Sequence, residues 1–148
     1  MMVALLWPVA ASAEISWRFS DRTGRAYLQG YSDEVEGDNE FWARCRADGS
    51  IDIGVGADSG IASGAGGDVA LTLSSEDVSA NLTGPSRKSV NFPMTGGIEL
   101  RARISRDDAV FQVLSTGKPI KVAGVGRSVT WQTKGLKANA EAFLASCK

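Results

Sequence analysis

The sequence contains two cysteines, Cys45 and Cys147, and most of the chain lies between them. A bond between them would close a loop of about a hundred residues and fasten the C-terminus to an early segment. Disulfides persist in oxidising, extracytoplasmic compartments, so this bond would also indicate where the protein works. The alternative is two separate buried thiols that act as small apolar side chains. We predict the disulfide.

Residues 1–13 have the pattern of a secretory signal peptide. An apolar run ends in Ala11-Ser12-Ala13, and small residues of this kind precede signal-peptidase cleavage sites. No basic residue precedes the run, so the alternative is a buried first strand. We predict cleavage after Ala13, a periplasmic or secreted protein, and one domain over residues 14–148. The run is shorter than the roughly 18 apolar residues that a transmembrane anchor needs.

Composition indicates one globular domain that is rich in turns. Hydrophobic residues make up 43% of the 148 residues, which is enough for a real core. Seventeen glycines against four prolines favour short strands over long helices. The formal net charge of −1 argues against a general nucleic-acid binder.

Short alternations of apolar and polar residues predict about 9–11 strands. They cover residues 15–19, 26–31, 41–46, 51–55, 69–73, 78–82, 90–94, 98–104, 109–114, 120–125 and 128–133. The pattern then changes to one helical stripe, formed by Leu136, Ala140, Phe143, Leu144 and Cys147. We predict a mainly β fold, an antiparallel β-sandwich or open barrel, with one C-terminal helix at about 136–147.

The absence of histidine narrows the possible chemistry. The Ser-His-Asp triad, Cys-His pairs and histidine-ligated zinc all require this residue. If both cysteines form a disulfide, thiol nucleophiles and cysteine-ligated zinc are excluded as well. We therefore predict that the protein is not an enzyme and uses no cofactor.

Carboxylates cluster in the acidic segment 33–40. Its weak calcium candidates are Asp33, Glu36, Asp38 and Glu40, because Ca²⁺ prefers oxygen ligands. The alternative chemistry for a pair of them is general acid and base catalysis on a polysaccharide. The spacing does not match the twelve-residue calcium loop, and a solvated connection between two strands explains the cluster without a ligand. We predict no metal site.

A glycine-rich segment, residues 54–67, is predicted to form a long loop. Loops of this kind often carry recognition residues, and the candidates here are Gly54, Gly56, Asp58, Ser59 and Gly60.

A second candidate binding feature is the pair Arg101 and Arg103, which share one face of their strand. They would suit an anionic partner such as lipid headgroups or an acidic protein. The alternative is an ordinary polar sheet face. The tryptophans Trp17, Trp42 and Trp131 fall within strands, and we predict that they belong to the core.

Several short motifs occur in an order found in small exported bacterial proteins. Trp17 lies near the predicted mature start, Arg44-Cys45 ends a strand that leads into a hairpin, and Gly135-Leu136 precedes an alanine-rich helix that ends at Cys147. This layout resembles the VasI-type secretion-associated proteins of the bacterial envelope. The resemblance implies a periplasmic, β-rich accessory protein, and it brings no catalytic residues.

These features predict a non-catalytic exported binding or accessory protein of the bacterial envelope. Its predicted partner is another envelope or secreted protein, and not a nucleic acid. The alternatives are an inhibitor of a secreted hydrolase and, third, a carboxylate-based hydrolase or lyase acting on envelope polysaccharide.

Overall fold

The computed structural model describes residues 11–21, 25–33, 39–56, 67–88, 98–124 and 127–147. The strands are β1 (Ala11–Ala13), β2 (Ile15–Ser20), β3 (Tyr27–Ser32), β4 (Asn39–Cys45), β5 (Ile51–Gly56), β6 (Asp68–Ser75), β7 (Val78–Lys88), β8 (Ile98–Ile104), β9 (Ile120–Gly124) and β10 (Arg127–Trp131). The helices are α1 (Ala109–Leu114) and α2 (Leu136–Ser146). The predicted mainly β class is confirmed, and so is the C-terminal helix. No helix in these ranges is long and apolar enough to cross a membrane.

The strands form one sheet in the order β1-β10-β9-β6-β7-β8-β5-β4-β3-β2. Nine of them form an antiparallel, nearly closed barrel-shaped sheet. Strand β7 turns a corner, since its residues 78–85 pair with β6 and its residues 86–88 pair with β8. A Cβ at Gly84 would lie 2.2 Å from the carbonyl oxygen of Arg101, so the corner requires a glycine.

The N-terminal strands connect the two edges of this sheet. Strand β1 pairs in parallel with β10, whereas β2, which begins two residues later, pairs antiparallel with β3. Cleavage after Ala13 would remove β1, and the nine strands from β2 to β10 would keep their order in the sheet. That cleavage stays a prediction, and residues 1–10 lie outside the described residues.

The barrel core is built around three aromatic side chains. Trp17, Phe41 and Trp131 have ring centroids 5.8–6.1 Å apart and meet in tilted or edge-to-face contacts. Trp17 Nε1 also donates a hydrogen bond of 2.9 Å to the carbonyl oxygen of Gln132. The core prediction is therefore confirmed for Trp17 and Trp131, and it is wrong for Trp42, which lies outside the core.

The predicted strand at 109–114 is wrong, because these residues form helix α1. Asp108 caps the helix, its Oδ1 accepting a hydrogen bond of 3.0 Å from the backbone N–H of Val110. The buried side chains are Val110, Phe111, Val113 and Leu114, a helical spacing. A six-residue segment with one polar residue has a hydrophobic pattern that fits a strand and a helix equally well. The N-cap Asp108 favours the helix.

Helix α2 is docked on β2 and β3 and is fastened at its C-terminal end. Cys147 is bonded to Cys45 with a Cα–Cα distance of 5.5 Å, which confirms the predicted pair. Arg106 adds a second attachment, since its Nη1 and Nη2 donate to the carbonyl oxygens of Cys147 and Leu144 at 2.8 and 3.1 Å. A cation at this end of a helix is favourable because the last carbonyls lack helical partners.

Candidate binding face

Two rows of side chains cover the outer face of β2, β3, β4, β5 and β8. Side chains alternate along a strand, so residues between the core positions of β4 point away from the core. In register, the first row consists of Arg18, Gln29, Trp42, Gly54 and Arg101. The second row consists of Ser20, Tyr27, Arg44, Asp52 and Arg103. We call these two rows, with Tyr31, Arg46 and Glu99 beside them, the arginine face.

The Trp42 side chain is held in one position on the arginine face. Its indole lies against Gly54, where an added Cβ would be 2.1 Å from Nε1 and 2.5 Å from Cε2. Nε1 donates a hydrogen bond of 2.7 Å to Oε2 of Glu99. Glycine at position 54 is therefore what allows this half-buried ring to lie on the sheet.

Glu99 orients two of its neighbours at once. Its side chain is only 2% exposed, and its two oxygens accept separate hydrogen bonds. Oε2 binds the Trp42 indole at 2.7 Å, and Oε1 binds Nε of Arg101 at 2.8 Å. A buried carboxylate needs such partners because an uncompensated charge is costly to desolvate. The bonds hold both side chains in place before any ligand arrives.

Asp52 performs the same task for two further arginines. Oδ1 contacts Nε of Arg103 at 2.9 Å, and Oδ2 contacts Nη1 of Arg46 at 3.0 Å. Burial by itself raises the pKa of Asp52, but the hydrogen bonds from Arg103 and Arg46 outweigh it, so the pKa lies below the ordinary value.

Replacing Asp52 with asparagine is expected to change how stability depends on pH. A carboxylate whose pKa is lower in the folded state stabilises the protein. This contribution is fully present above the unfolded-state pKa of about 3.9, and it is lost as the pH falls through the folded-state pKa. Asp52→Asn should therefore flatten the loss of stability below about pH 5 and cost about 1 kcal/mol or less at neutral pH. Urea unfolding across a pH series measures this, and parallel profiles for the two proteins would contradict it.

The arginine face carries an excess of positive charge. Its five arginines are Arg18, Arg44, Arg46, Arg101 and Arg103, against the three carboxylates Asp52, Glu99 and Glu40, the last of which lies beside Gly56 on the same face, whereas the whole chain has a net charge of −1. Within the described residues no carboxylate pairs with Arg18 or Arg44. Their guanidinium carbons instead lie 5.5 Å from the ring centroid of Tyr31 and 6.0 Å from that of Trp42.

A shallow cavity of about 310 Å³ lies within the arginine face. It is lined by Trp42, Arg44, Asp52, Ile53, Arg101, Ala102 and Arg103. A larger open cavity of about 710 Å³ lies between β2 and the segment after β10, where Ser16 Oγ donates a hydrogen bond of 2.6 Å to Asp33. The smaller cavity is the candidate binding site, because it combines an aromatic ring with three guanidinium groups.

The sequence identified part of this surface. Arg101 and Arg103 do share a face, and the structure adds Trp42 and Arg44 from β4 beside them. The signal for Trp42 was available, since the neighbouring residues Phe41 and Ala43 are core positions and alternation places Trp42 opposite to them.

The predicted loop at 54–67 is wrong for residues 54–56, and residues 57–66 lie outside the described residues. Gly54 and Gly56 are buried residues of β5, because this strand continues its pairing with β8 as far as Gly56. The other loop candidates, Asp58, Ser59 and Gly60, lie outside the described residues, as does the predicted strand at 90–94.

The acidic candidates have different environments. Asp33 is exposed and accepts the hydrogen bond from Ser16, whereas Glu40 is buried in β4. Glu36 and Asp38 lie outside the described residues. Among the residues that are described, no group of three or more histidine, cysteine, aspartate or glutamate side chains is placed to hold a metal ion.

No protein-family model matches the chain, and neither a curated protein nor a solved structure is significantly similar to it. The resemblance to VasI-type proteins therefore stays a prediction.

Proposed function

We propose that this chain is an exported, non-catalytic binding protein that holds an acidic segment of another envelope or secreted protein on the arginine face. The observation that carries the proposal is the cavity where Arg44, Arg101 and Arg103 surround the Trp42 ring. Glu99 orients the Trp42 ring and Arg101, and Asp52 orients Arg103.

The terminal N–H groups of Arg103 favour a carboxylate as the ligand. Among contacts within the described residues, Arg103 uses Nε for Asp52, which leaves its two Nη groups for a ligand. A guanidinium end with two parallel N–H donors matches a carboxylate in bidentate geometry. The Arg103 side chain is 57% exposed, so a ligand reaches it without a change in the fold.

The disulfide supports the exported part of the proposal. Cys45 and Cys147 are bonded, and such bonds persist in oxidising compartments. Fractionation of the native host and the intact mass of the isolated protein test this part. Recovery from the cytoplasm with two reactive thiols would contradict it.

Titration with deca-glutamate tests the binding part, with deca-lysine as the control of opposite charge. We expect deca-glutamate to bind at low ionic strength and to weaken as salt is added, because charged contacts are screened. Removing two guanidinium contacts in Arg44→Ala/Arg103→Ala should lower the affinity about tenfold or more.

The matched control is Lys121→Ala, which removes an exposed cation from β9, outside the arginine face. This variant should bind deca-glutamate like the wild type. Equal binding by the wild type and the double arginine variant, or equal binding of deca-lysine, would refute the proposed function.

A further inference from the structure

Guanidinium groups recur on every second strand across the arginine face. Arg18 lies on β2, Arg44 on β4, and Arg101 and Arg103 on β8, with β3 between the first two of these strands and β5 between the last two. Neighbouring strands are about 4.8 Å apart, so every second strand repeats at about 10 Å in the direction across the strands. Arg44 and Arg103 lie in one row at this spacing, whereas Arg18 lies in the neighbouring row with Arg101.

This repeat distinguishes between the conformations of an extended acidic peptide. A β-strand returns to the same face every second residue, a distance of about 7 Å. A polyproline II helix returns to the same face every third residue, about 9 Å along its axis. The polyproline II repeat is the closer match to the spacing of the arginines.

Aromatic rings lie between the cations, as recognition of polyproline II segments requires. Trp42, Tyr27 and Tyr31 are half-buried on the arginine face, and Trp42 is fixed by Gly54 and Glu99. Proline-rich segments dock on aromatic grooves of this kind because their conformation is already formed and little entropy is lost on binding.

We infer that the partner segment is an acidic polyproline II helix that runs across the strands from β2 to β8, with carboxylates three residues apart. This inference rests on the proposed function and makes it more specific. The carboxylates pair with the guanidinium groups of β2, β4 and β8, and the residues between them stack on Trp42 and the tyrosines.

Three synthetic peptides of equal length and charge test the inference against the full chain. The first repeats Glu-Pro-Pro three times, the second repeats Glu-Pro three times before three further prolines, and the third repeats Glu-Gly-Gly three times. We expect the first to bind about tenfold more tightly than either of the others, because it alone combines the spacing with a preformed helix.

Two variants test whether Trp42 and Arg18 cause the preference for carboxylates three residues apart. Trp42→Ala should remove the preference for the first peptide, whereas Trp42→Phe, which keeps a ring, should retain most of it. Arg18→Gln changes an exposed position and should reduce the preference about threefold without affecting the fold. A preference that survives in both Trp42→Ala and Arg18→Gln would overturn the inference.

The peptides also separate this inference from the proposed function. Equal affinities for all three peptides, or binding of deca-glutamate alone, would overturn the inference and leave the proposed function standing. Failure of all three peptides together with deca-glutamate would overturn both.

Discussion

Removing the Cys45–Cys147 disulfide is expected to lower the free energy of unfolding by about 4–5 kcal/mol, because the bond closes a loop of about a hundred residues in the unfolded chain. The folded state is affected as well, since helix α2 depends on tertiary contacts and an isolated helix of this length is marginal in water. Urea unfolding of the oxidised wild type and of Cys45→Ala/Cys147→Ala measures the difference.

The double alanine variant also provides the control for reductant. Dithiothreitol should shift the unfolding midpoint of the wild type and leave that of the variant unchanged, since no bond remains to be reduced. Equal midpoints for the oxidised and reduced wild type would show that the bond does not constrain the chain as proposed.

Replacing Gly54 with alanine is expected to displace the Trp42 ring and to abolish most binding of acidic peptides. The added Cβ would lie 2.1 Å from Trp42 Nε1 and 2.7 Å from Glu99 Oε2, distances that atoms cannot occupy. The ring is half-buried, so it is free to move outwards, and its hydrogen bond to the buried Glu99 is lost at a cost of about 1–3 kcal/mol. We expect deca-glutamate affinity to fall about tenfold or more.

Gly67→Ala is the matched control for this substitution. An added Cβ at Gly67 has no atom within 4 Å, and this residue precedes β6, away from the arginine face. Gly67→Ala should match the wild type in both stability and peptide affinity. If Gly54→Ala also retained the wild-type affinity, a fixed Trp42 ring would not be needed for binding.

Much of the fold was predictable because it follows from short-range periodicity. Alternation in β2, β4 and β8 identifies strands, and the stripe from Leu136 to Cys147 identifies α2. Helix α1 was not predicted, since its hydrophobic pattern is too short to separate a strand from a helix. The pairing of β1 with β10 joins residues far apart in sequence, which no local pattern specifies.

The candidate site was predictable only in part, for a similar reason. Arg101 and Arg103 lie two residues apart, so alternation alone places them together. The position of Trp42 on Gly54 and its bond to Glu99 depend on β4, β5 and β8 being neighbours in a particular register. The register of β4 with β5 follows from the short turn between them, whereas the pairing of β5 with β8 joins segments far apart in the sequence and has no local signal.

The indole N–H resonance of Trp42 tests the central claim most directly, because this group lies within the arginine face whereas Trp17 and Trp131 are buried in the core. In a ¹⁵N-edited NMR titration with deca-glutamate, the Trp42 signal should shift in a saturable and salt-sensitive way while the signals of Trp17 and Trp131 stay in place. A saturable interaction that leaves the Trp42 signal unchanged would contradict the assignment of binding to this face.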